Sequence, residues 1–398
     1  MSKTEKPSIR FHGFDDTWEQ RKLGDNIAEY TEKTTINNQY PVLTSSRRGI
    51  FFQTDYYDGN QIASADNTGY NIVPYGYFTY RHMSDDEIFH FNINDITENG
   101  IVSTLYPVFT TDENLDSRYL QYQLNYGKEF AKYAVLQKQG GSRTYMYLNK
   151  LKELRLTIPN FVEEQKKISA YFMKLDNFIT LHQRKFEKLT NVKKSMLEKM
   201  FPQNGSCYPA VRFKGFTGPW ERRKFGDVFE EYSEKNRADL PPLTIIQGSG
   251  TIRRDESERA LQYDKASLSN YKVVNEGDLI VHLRSFEGGL EKANSQGIIS
   301  PAYHTFHGEG VDSRFYYTYF RSKNFIDTDL KPHVYGIRDG RSIDIEGMKT
   351  IEIPFTSYPE QKLIGDAIDS INTLISLQRR ELEKLQSIKK ALLEKMLV

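Results

Sequence analysis

The sequence of this chain contains a second copy of itself, and this repeat constrains the fold more than any other feature. A segment that begins at Pro7 as Pro-Ser-Ile-Arg-Phe-His-Gly-Phe returns at an offset of 202, from Pro209, as Pro-Ala-Val-Arg-Phe-Lys-Gly-Phe. A long internal repeat has to be recognised first, because it determines the architecture. The residues that follow keep the same spacing in both copies: Trp18-Glu19, Arg21-Lys22 and Gly24-Asp25, then Trp220-Glu221, Arg223-Lys224 and Gly226-Asp227.

Further matches occur in the same order, with the offset drifting to about 196. The order and the drift indicate duplication with small insertions and deletions. The matched pairs are Gly100–Ser103 with Gly297–Ser300, Asp116-Ser117-Arg118 with Asp312-Ser313-Arg314, Gly141-Ser142-Arg143 with Gly336-Ile337-Arg338, Ile158-Pro159 with Ile353-Pro354, and Glu164-Gln165-Lys166 with Glu360-Gln361-Lys362.

Between these matches the two copies diverge, as Thr44–Arg48 against Thr244–Gly248 illustrates. Motifs that both copies keep, with different sequences between them, indicate one scaffold that presents two different surfaces. The alternative is neutral drift in surface loops.

Each copy is predicted to contain a compact α+β domain followed by one long helix. Short β-branched and aromatic runs separated by Gly and Asn turns indicate strands, and the stretch from Asn160 to Phe201 contains neither Pro nor Gly. A chain of 398 residues has room for two or more domains. The predicted segments are a globular domain at 1–158, a long helix and linker at 159–205, a second globular domain at 206–354 and a second long helix at 355–398.

Both predicted helices carry an apolar row at steps of three and four residues, which is typical of coiled coils. Two such rows should pack together, so we expect the helices to pair. Polar residues interrupt the row at equivalent places, His182 with Gln378 and Lys193 with Lys389; they either fix the register or extend their polar ends to solvent. The predicted seam residues are Ile168, Phe172, Leu175, Ile179, Phe186, Leu189, Ile364, Ile368, Ile371, Ile375, Leu382 and Leu385.

A second apolar row exceeds the requirement of a two-stranded coil, so the globular domains or another subunit should cover it. Its members are Tyr171, Phe178, Leu181, Val192 and Leu197, with Ala367, Leu374, Leu377, Ile388 and Leu393.

Composition narrows the class of protein. The formal net charge is +1, so any basic surface must be local. The single cysteine, Cys207, excludes an internal disulfide and a cysteine zinc cluster. The amino terminus lacks an apolar signal core and no long apolar run follows, so we expect a cytoplasmic protein.

Motifs for catalysis are not found in the sequence. It has no phosphate-binding Gly-x-x-x-x-Gly-Lys-Ser/Thr loop, no Gly-x-Gly-x-x-Gly fingerprint and no His-Glu-x-x-His zinc motif. His304 and His307 have no neighbouring carboxylate or cysteine in the sequence to complete a metal site, and Asp85-Asp86-Glu87 is interpreted as a solvated turn. We therefore expect a chain that binds rather than catalyses, with no catalytic residue, metal or cofactor of its own.

Basic residues beside Gln, Asn and Tyr are the candidates for contact with DNA. Arginine can fork onto guanine edges or phosphates, although such residues are also common partners in surface salt bridges. The candidates are Arg47, Arg48, Arg81, Lys138, Arg143, Arg253, Arg254, Arg284, Arg338 and Arg341.

Taken together, the repeated motifs resemble those of the HsdS-like specificity (S) subunits of type I restriction-modification systems. The resemblance rests on Pro-x-x-Arg-Phe-x-Gly-Phe with Trp-Glu and Gly-Asp, the Ile-Pro, and the Glu-Gln-x-x-Ile before each helix, and it extends over essentially the whole chain. One departure is Glu163, which stands where the second copy has Pro359; it bears only on where the first helix starts.

The resemblance implies two target recognition domains held apart by two long helices that pair as an antiparallel coiled coil with pseudo-twofold symmetry. Each domain would read one half of a bipartite target in double-stranded DNA. Two methyltransferase subunits carrying S-adenosylmethionine would dock on the helices, and restriction subunits would supply ATP- and Mg-dependent translocation and cleavage. The alternative is a coiled-coil scaffold whose two domains bind proteins or glycans.

Overall fold

The computed structural model describes residues 7–60, 62–138, 143–203, 205–257, 265–336 and 341–397. Contacts divide the chain into two compact units. The first comprises the chain up to His182 together with Glu381 onward, and the second comprises Gln183–Arg380. Each unit thus contains one globular domain, the first part of one long helix and the last part of the other.

The described residues of the first unit form twelve short strands, and all but β1 and β7 contain the β-branched or aromatic residues expected of strands. They are β1 (Glu19–Lys22), β2 (Ile27–Glu29), β3 (Leu43–Ser46), β4 (Gly49–Phe52), β5 (Asn71–Pro74), β6 (Phe78–Tyr80), β7 (Met83–Ser84), β8 (Phe91–Ile93), β9 (Asn99–Val102), β10 (Val108–Thr111), β11 (Thr144–Tyr145) and β12 (Arg155–Ile158).

The second unit contains another twelve strands among its described residues. They are β13 (Glu221–Lys224), β14 (Glu230–Tyr232), β15 (Leu243–Ile246), β16 (Gly250–Arg253), β17 (Lys272–Val274), β18 (Leu279–Val281), β19 (Glu291–Lys292), β20 (Gly297–Ile299), β21 (His304–His307), β22 (Val334–Tyr335), β23 (Ser342–Ile343) and β24 (Glu352–Phe355).

In the part of the chain that the structure describes, ten α-helices accompany these strands, and two of the ten are long. They are α1 (Gln53–Tyr56), α2 (Ser117–Tyr126), α3 (Lys128–Leu136), α4 (Leu148–Lys152), α5 (Val162–Lys199), α6 (Phe225–Val228), α7 (Ser285–Gly288), α8 (Ser313–Phe320), α9 (Ile345–Lys349) and α10 (Tyr358–Met396). None of the described helices is long and apolar enough to cross a membrane.

Strand pairing repeats from one unit to the other. The first unit has a four-stranded antiparallel sheet in the order β2-β10-β6-β8, and the second has β14-β21-β18-β19. The pairs β1-β12, β3-β4 and β5-β9 likewise correspond to β13-β24, β15-β16 and β17-β20. The two units differ in one pairing: β7 pairs with β11 in the first unit, whereas β22 pairs with β23 in the second.

The residues at the start of each long helix favour helix initiation. Helix α5 starts three residues after Pro159 with Glu163 and Glu164 in its first turn, where the helix dipole favours negative charge. Helix α10 starts at Tyr358, immediately before Pro359, and proline fits a first turn because its missing N–H has no helical partner there.

Within each unit, a segment of each long helix joins the domain core. In the first unit Phe172 of α5 shares a core with Leu393 and Met396 of α10. In the second, Ile364 and Ile368 of α10 share a core with the end of α5. Of the predicted seam residues, seven are buried and five are half-buried; the buried ones are Ile168, Phe172, Leu175, Ile364, Ile368, Ile371 and Leu382, and the half-buried ones are Ile179, Phe186, Leu189, Ile375 and Leu385. Their pairing as one seam stays a prediction.

Candidate functional site

A buried ion pair ties the opening segment of each globular domain to a long helix. Arg10 donates to Glu164 through Nε (2.6 Å) and Nη2 (2.8 Å), and Arg212 donates to Glu360 with the same two distances. Both carboxylates are fully buried. A forked pair of this kind is both strong and geometrically specific. The arginine and the glutamate therefore recur in both copies because they attach each domain to its long helix.

A second contact that recurs in both copies also attaches each domain to its long helix. Gln165 accepts a hydrogen bond from the backbone N–H of Asp116 at 2.8 Å, and Gln361 accepts one from Asp312 at 3.0 Å. The two aspartates cap α2 and α8, because their side chains accept backbone N–H groups of the first helical turn. Since the motifs shared by the copies hold the domains to the helices, differences in recognition must lie elsewhere.

Three candidate basic residues of the first unit meet on one turn, Asp85-Asp86-Glu87, which we call the acidic turn. Arg47 donates to both oxygens of Asp86 (2.6 and 2.7 Å), and Arg143 Nε donates to Asp85 at 2.8 Å. Lys138 forms an ion pair with Glu87. The sequence interpretation of a solvated turn was therefore incomplete, because all three carboxylates have cationic partners.

The ion pairs of the acidic turn are accessible to solvent. Arg47 is 59% exposed and Asp86 is 44% exposed. The hydrogen bonds from Arg47 and Ser84 lower the pKa of Asp86 to about 2. Exposed pairs add little to folding stability because water and salt screen them. These basic groups can therefore exchange one anionic partner for another.

The remaining candidates of the first unit lie apart from the acidic turn. The Arg48 guanidinium lies 4.5 Å from the centre of the Tyr56 ring. Arg81 is exposed, and its side chain has no hydrogen bond or ion pair with any residue that the structure describes. It is thus a candidate with no assigned intramolecular role.

A row of stacked rings near Arg143 did not emerge from the sequence. The His82 and Tyr147 ring centres are 5.1 Å apart, and those of Tyr145 and Tyr147 are 5.9 Å apart with nearly parallel planes. Both tyrosines are more than one third exposed. The alternating pattern Tyr-Met-Tyr after Arg143 was the available signal, since aromatic faces beside arginine favour contacts with nucleic acid.

The basic candidates of the second unit have separate partners. Arg253 pairs with Asp255, two residues along the chain, at 2.9 Å. Arg341 Nη2 lies 3.3 Å from Glu287, and its guanidinium lies 4.4 Å from the centre of the Phe286 ring.

Three candidates remain in the second copy. The Arg254 guanidinium lies over the Tyr271 ring at 5.4 Å. Arg284 is exposed and has no side-chain hydrogen bond or ion pair among the described residues. Arg338 lies outside the described residues.

A buried glutamate fixes the β15–β16 hairpin in the second unit. Glu291 is fully buried and accepts hydrogen bonds from the backbone N–H groups of Gly248 (2.7 Å) and Gly250 (3.1 Å). Tyr317 donates to it at 2.9 Å, and Arg321 is its ionic partner. The carboxylate is internal here, so it is not available to the exposed arginines.

One histidine of the second unit has a strongly shifted pKa. Burial and the neighbouring Arg321 and Arg284 lower the pKa of His282 to about 4. Its Nδ1 accepts the backbone N–H of Arg284 at 3.3 Å, so the neutral ring carries its proton on Nε2. The ring is therefore neutral at physiological pH.

The two histidines considered for metal binding make ordinary hydrogen bonds. His304 contacts Glu231 at 2.7 Å and His307 contacts Asp278 at 2.8 Å. The described parts of the chain contain no group of three or more His, Cys, Asp or Glu side chains that could hold a metal ion.

The helix surface carries an exposed apolar row beside the buried seam. Phe178 (53%), Leu181 (59%), Leu374 (45%) and Leu377 (49%) remain exposed. The globular domains therefore do not cover these four side chains, and the other expected means of covering them, a docked subunit, stays a prediction. Leu393 of the same predicted row is buried in the first unit's core.

Comparison with known proteins supports the predicted family. Residues 15–191 match the family described as Type I restriction modification DNA specificity domain. A putative type I restriction enzyme MjaX specificity subunit from Methanocaldococcus jannaschii is 23% identical over 304 residues, covering 71% of this chain and 68% of that protein. The type I restriction enzyme MjaVIII specificity subunit of the same organism is 25% identical over 319 residues, covering 75% and 73%.

The fold also has a counterpart among solved structures. The chain resembles the crystal structure of a type I restriction-modification system S subunit from M. genitalium, with a TM-score of 0.59, 12% identity and 99% of both chains covered. At this low identity the likeness shows the fold alone. It agrees with the mixed helix and strand content predicted from the sequence.

Proposed function

Because residues 15–191 match the Type I restriction modification DNA specificity domain, we propose that the chain is a type I specificity subunit and selects the DNA sequence on which a type I complex acts. Each globular domain reads one half of a bipartite target in double-stranded DNA. The chain itself is non-catalytic, in keeping with relatives that are named specificity subunits.

The observation that carries this proposal is that one scaffold supports two different basic surfaces. The pairs Arg10–Glu164 and Arg212–Glu360 have the same geometry. Arg47, by contrast, pairs with Asp86 in the first copy, whereas its counterpart in the second copy is the uncharged Gln247. Duplicated support with divergent surfaces is what reading two different half-sites requires. Two linked modules also bind better than either alone, because the second contact is intramolecular.

The long helices supply the spacing and the docking surface in this proposal. We infer that α5 and α10 pair along their seam as an antiparallel coiled coil, which would fix the separation of the half-sites. Two methyltransferase subunits would cover the exposed row that includes Phe178 and Leu374. Restriction subunits would complete the complex, which would act in the cytoplasm.

Cofactors belong to the partner subunits in this scheme. S-adenosylmethionine would be bound by the methyltransferase subunits, and ATP and Mg by the restriction subunits. In the part of the chain that the structure describes, no side-chain group capable of holding a metal ion is found.

The first test is single-molecule sequencing of methyladenine in a host that carries this gene and its methyltransferase partner, compared with a host lacking only this chain. A split methylated motif should disappear with the chain. Methylation that persists unchanged would contradict the proposal.

A second test separates the two half-sites. Exchange of residues 10–157 for the corresponding domain of another member should change one half of the methylated motif and leave the other half unchanged. A change in both halves, or in neither, would show that the domains are not independent readers.

The basic candidates can be tested individually. Arg143→Ala and Arg338→Ala should weaken DNA binding by the assembled complex. Because Arg143 also pairs with Asp85, its loss could affect folding as well as DNA binding. An unchanged thermal unfolding temperature would show that the variant has lost a DNA contact and not its fold.

The scaffold alternative predicts a different result. A chain that binds proteins or glycans would show no DNA retention and an interaction that is insensitive to salt. Phosphate contacts make DNA binding strongly salt-dependent, so a salt titration of the purified complex distinguishes the two functions.

A further inference from the structure

The acidic turn brings three consecutive carboxylates to three basic side chains from separate parts of the first unit. Arg47 lies in the turn between β3 and β4, Lys138 lies just after α3, and Arg143 lies just before β11. Their partners are Asp86, Glu87 and Asp85 in that order. Arg47 precedes Lys138 by 91 positions (138 − 47) and Arg143 by 96 (143 − 47), so only the fold brings it to the other two.

The backbone of the acidic turn is held in an uncommon shape. Glu87 has a φ of 59°, in the left-handed region that residues other than glycine rarely adopt. Asp86 Oδ1 also accepts the Ser84 hydroxyl at 2.8 Å and the Ile88 backbone N–H at 3.3 Å. These bonds do not involve the basic residues, so they would keep the carboxylate in place after Arg47 leaves.

The pairing of β7 with β11 positions the acidic turn beside Arg143. Thr144 of β11 pairs with Ser84 of β7, which places the residue before one strand beside the residue after the other. Arg143 is 51% exposed and Asp85 is 65% exposed. The contact is therefore well positioned but open to competition from anions in solution.

We propose that the acidic turn is a surrogate for DNA phosphates: its carboxylates occupy Arg47, Lys138 and Arg143 in the free protein, and the DNA backbone displaces them. This inference rests on the proposed function. Each basic residue then exchanges one anion for another when DNA binds. The released carboxylates take up cations from solution. DNA binding is therefore weaker, and depends less on salt, than it would be if the three basic residues were unpaired in the free protein.

The second unit does not carry the same device in its described residues. The equivalent stretch forms α7, Ser285–Gly288, with a single carboxylate, Glu287, that contacts Arg341. Arg253 pairs with Asp255, two residues along the chain, and Arg284 has no ionic partner among the described residues. The surrogate is therefore proposed for the first recognition domain alone.

The experiment neutralises the acidic turn in the full chain assembled with its methyltransferase partner. The variant combines Asp85→Asn, Asp86→Asn and Glu87→Gln. Affinity is measured by fluorescence anisotropy on target duplex and on duplex lacking the target, across a series of salt concentrations.

We expect the variant to bind duplex lacking the target about tenfold more tightly at low salt, since each exposed pair contributes roughly a 1.5- to 5-fold effect. The salt slope should steepen by about 0.9 for each phosphate newly held without competition, up to about 2.7. Unchanged affinity and slope would overturn the inference. If the wild type shows no target-specific binding, the proposed function fails instead.

The matched control changes the same charge elsewhere in the first unit. It combines Glu19→Gln, Asp95→Asn and Glu153→Gln, whose partners Arg21, Arg118 and Lys22 are not candidates for DNA contact. This variant should gain clearly less affinity. An equal gain would show that overall charge, rather than the acidic turn, is responsible, and the inference would be wrong.

A double-mutant cycle separates occupation from simple repulsion. Neutralising the acidic turn in a background of Arg47→Ala, Lys138→Ala and Arg143→Ala should give little further gain, because no basic residue remains to be released. A gain that persists at full size would mean that the carboxylates repel DNA directly, and would overturn the surrogate mechanism.

Discussion

The two units use the same backbone frame but distribute positive charge differently. In the first, Arg47, Lys138 and Arg143 converge on a single acidic turn. In the second, Arg253 pairs with a neighbour in sequence and Arg284 has no ionic partner among the described residues. Duplication thus preserved the pairing of strands while allowing the electrostatics of each surface to change separately.

A comparison of the two units shows how different side chains connect the same helix-capping aspartate to the long helix. In the first unit Ser169 Oγ of α5 donates to the helix-capping Asp116 at 2.9 Å. In the second unit the equivalent position is Gly365, and Arg314 instead bridges Asp312 and Asp366. A Cβ on Gly365 would approach Asp312 to 2.9 Å, so glycine there makes room for the arginine bridge.

The largest expected effect tests the buried seam in both units. Leu175→Asp and Ile371→Asp should each lower the free energy of unfolding by several kcal/mol, because each places an unpaired charge in an apolar environment. Phe178→Asp is the control, since Phe178 is on the same helix but 53% exposed. Thermal and urea unfolding measure the difference; equal stability of all three variants would contradict the seam.

The next effect distinguishes the two Arg–Glu pairs. Arg10→Ala should destabilise by about 3–5 kcal/mol, because it leaves the buried Glu164 without another side-chain donor among the described residues. Arg212→Ala should cost less, since Glu360 keeps hydrogen bonds from Trp220 Nε1 (3.1 Å) and Thr356.

Urea unfolding of both variants measures this asymmetry. Adding Glu164→Gln to Arg10→Ala should recover part of the loss, because a neutral amide is less costly to bury than an unpaired carboxylate. A larger loss for Arg212→Ala than for Arg10→Ala would reverse the predicted order.

The sequence predicted the scaffold well because its physical signals are local or repeated. The apolar row from Ile168 to Leu175 follows from helical periodicity, and the helix α5 follows from the long stretch without Pro or Gly. The repeated Arg10 and Glu164 also indicated a shared role, although only the structure shows that they contact each other.

The surface could not be predicted in the same way. Arg47 and Asp86 are 39 residues apart and Arg143 and Asp85 are 58 apart, and no periodicity connects them. Their contacts depend on the hairpin turn and on the pairing of β7 with β11. Side-chain partners at a surface are set by tertiary contacts, which residue spacing does not encode.

The polar interruptions of the seam should have unequal effects. Lys389 Nζ lies 2.5 Å from Asp176 and 4.7 Å from the centre of the Tyr126 ring. Burial, together with the positive charge of Arg321, lowers the pKa of its counterpart Lys193. Lys389→Met should therefore destabilise by about 1–2 kcal/mol, whereas Lys193→Met should be neutral or stabilising.

Urea unfolding of the two methionine variants compares these lysines directly. Methionine keeps the length of the side chain, so the difference reports on charge rather than on packing. Equal losses would indicate that both lysines contribute through their hydrocarbon stems alone.

The smallest effect is a pH dependence that belongs to the second unit. The pKa of His282 is lowered to about 4, so the ring is neutral when folded but protonates near pH 6.5 when unfolded. The unfolded state binds more protons between these values, so stability should fall as the pH drops from about 6.5 to 4. We expect a loss of about 1–2 kcal/mol, less than the full shift implies because the ring is partly exposed. His282→Gln cannot protonate and should flatten this part of the pH profile in urea unfolding; an identical profile in wild type and variant would assign the acid sensitivity to other groups.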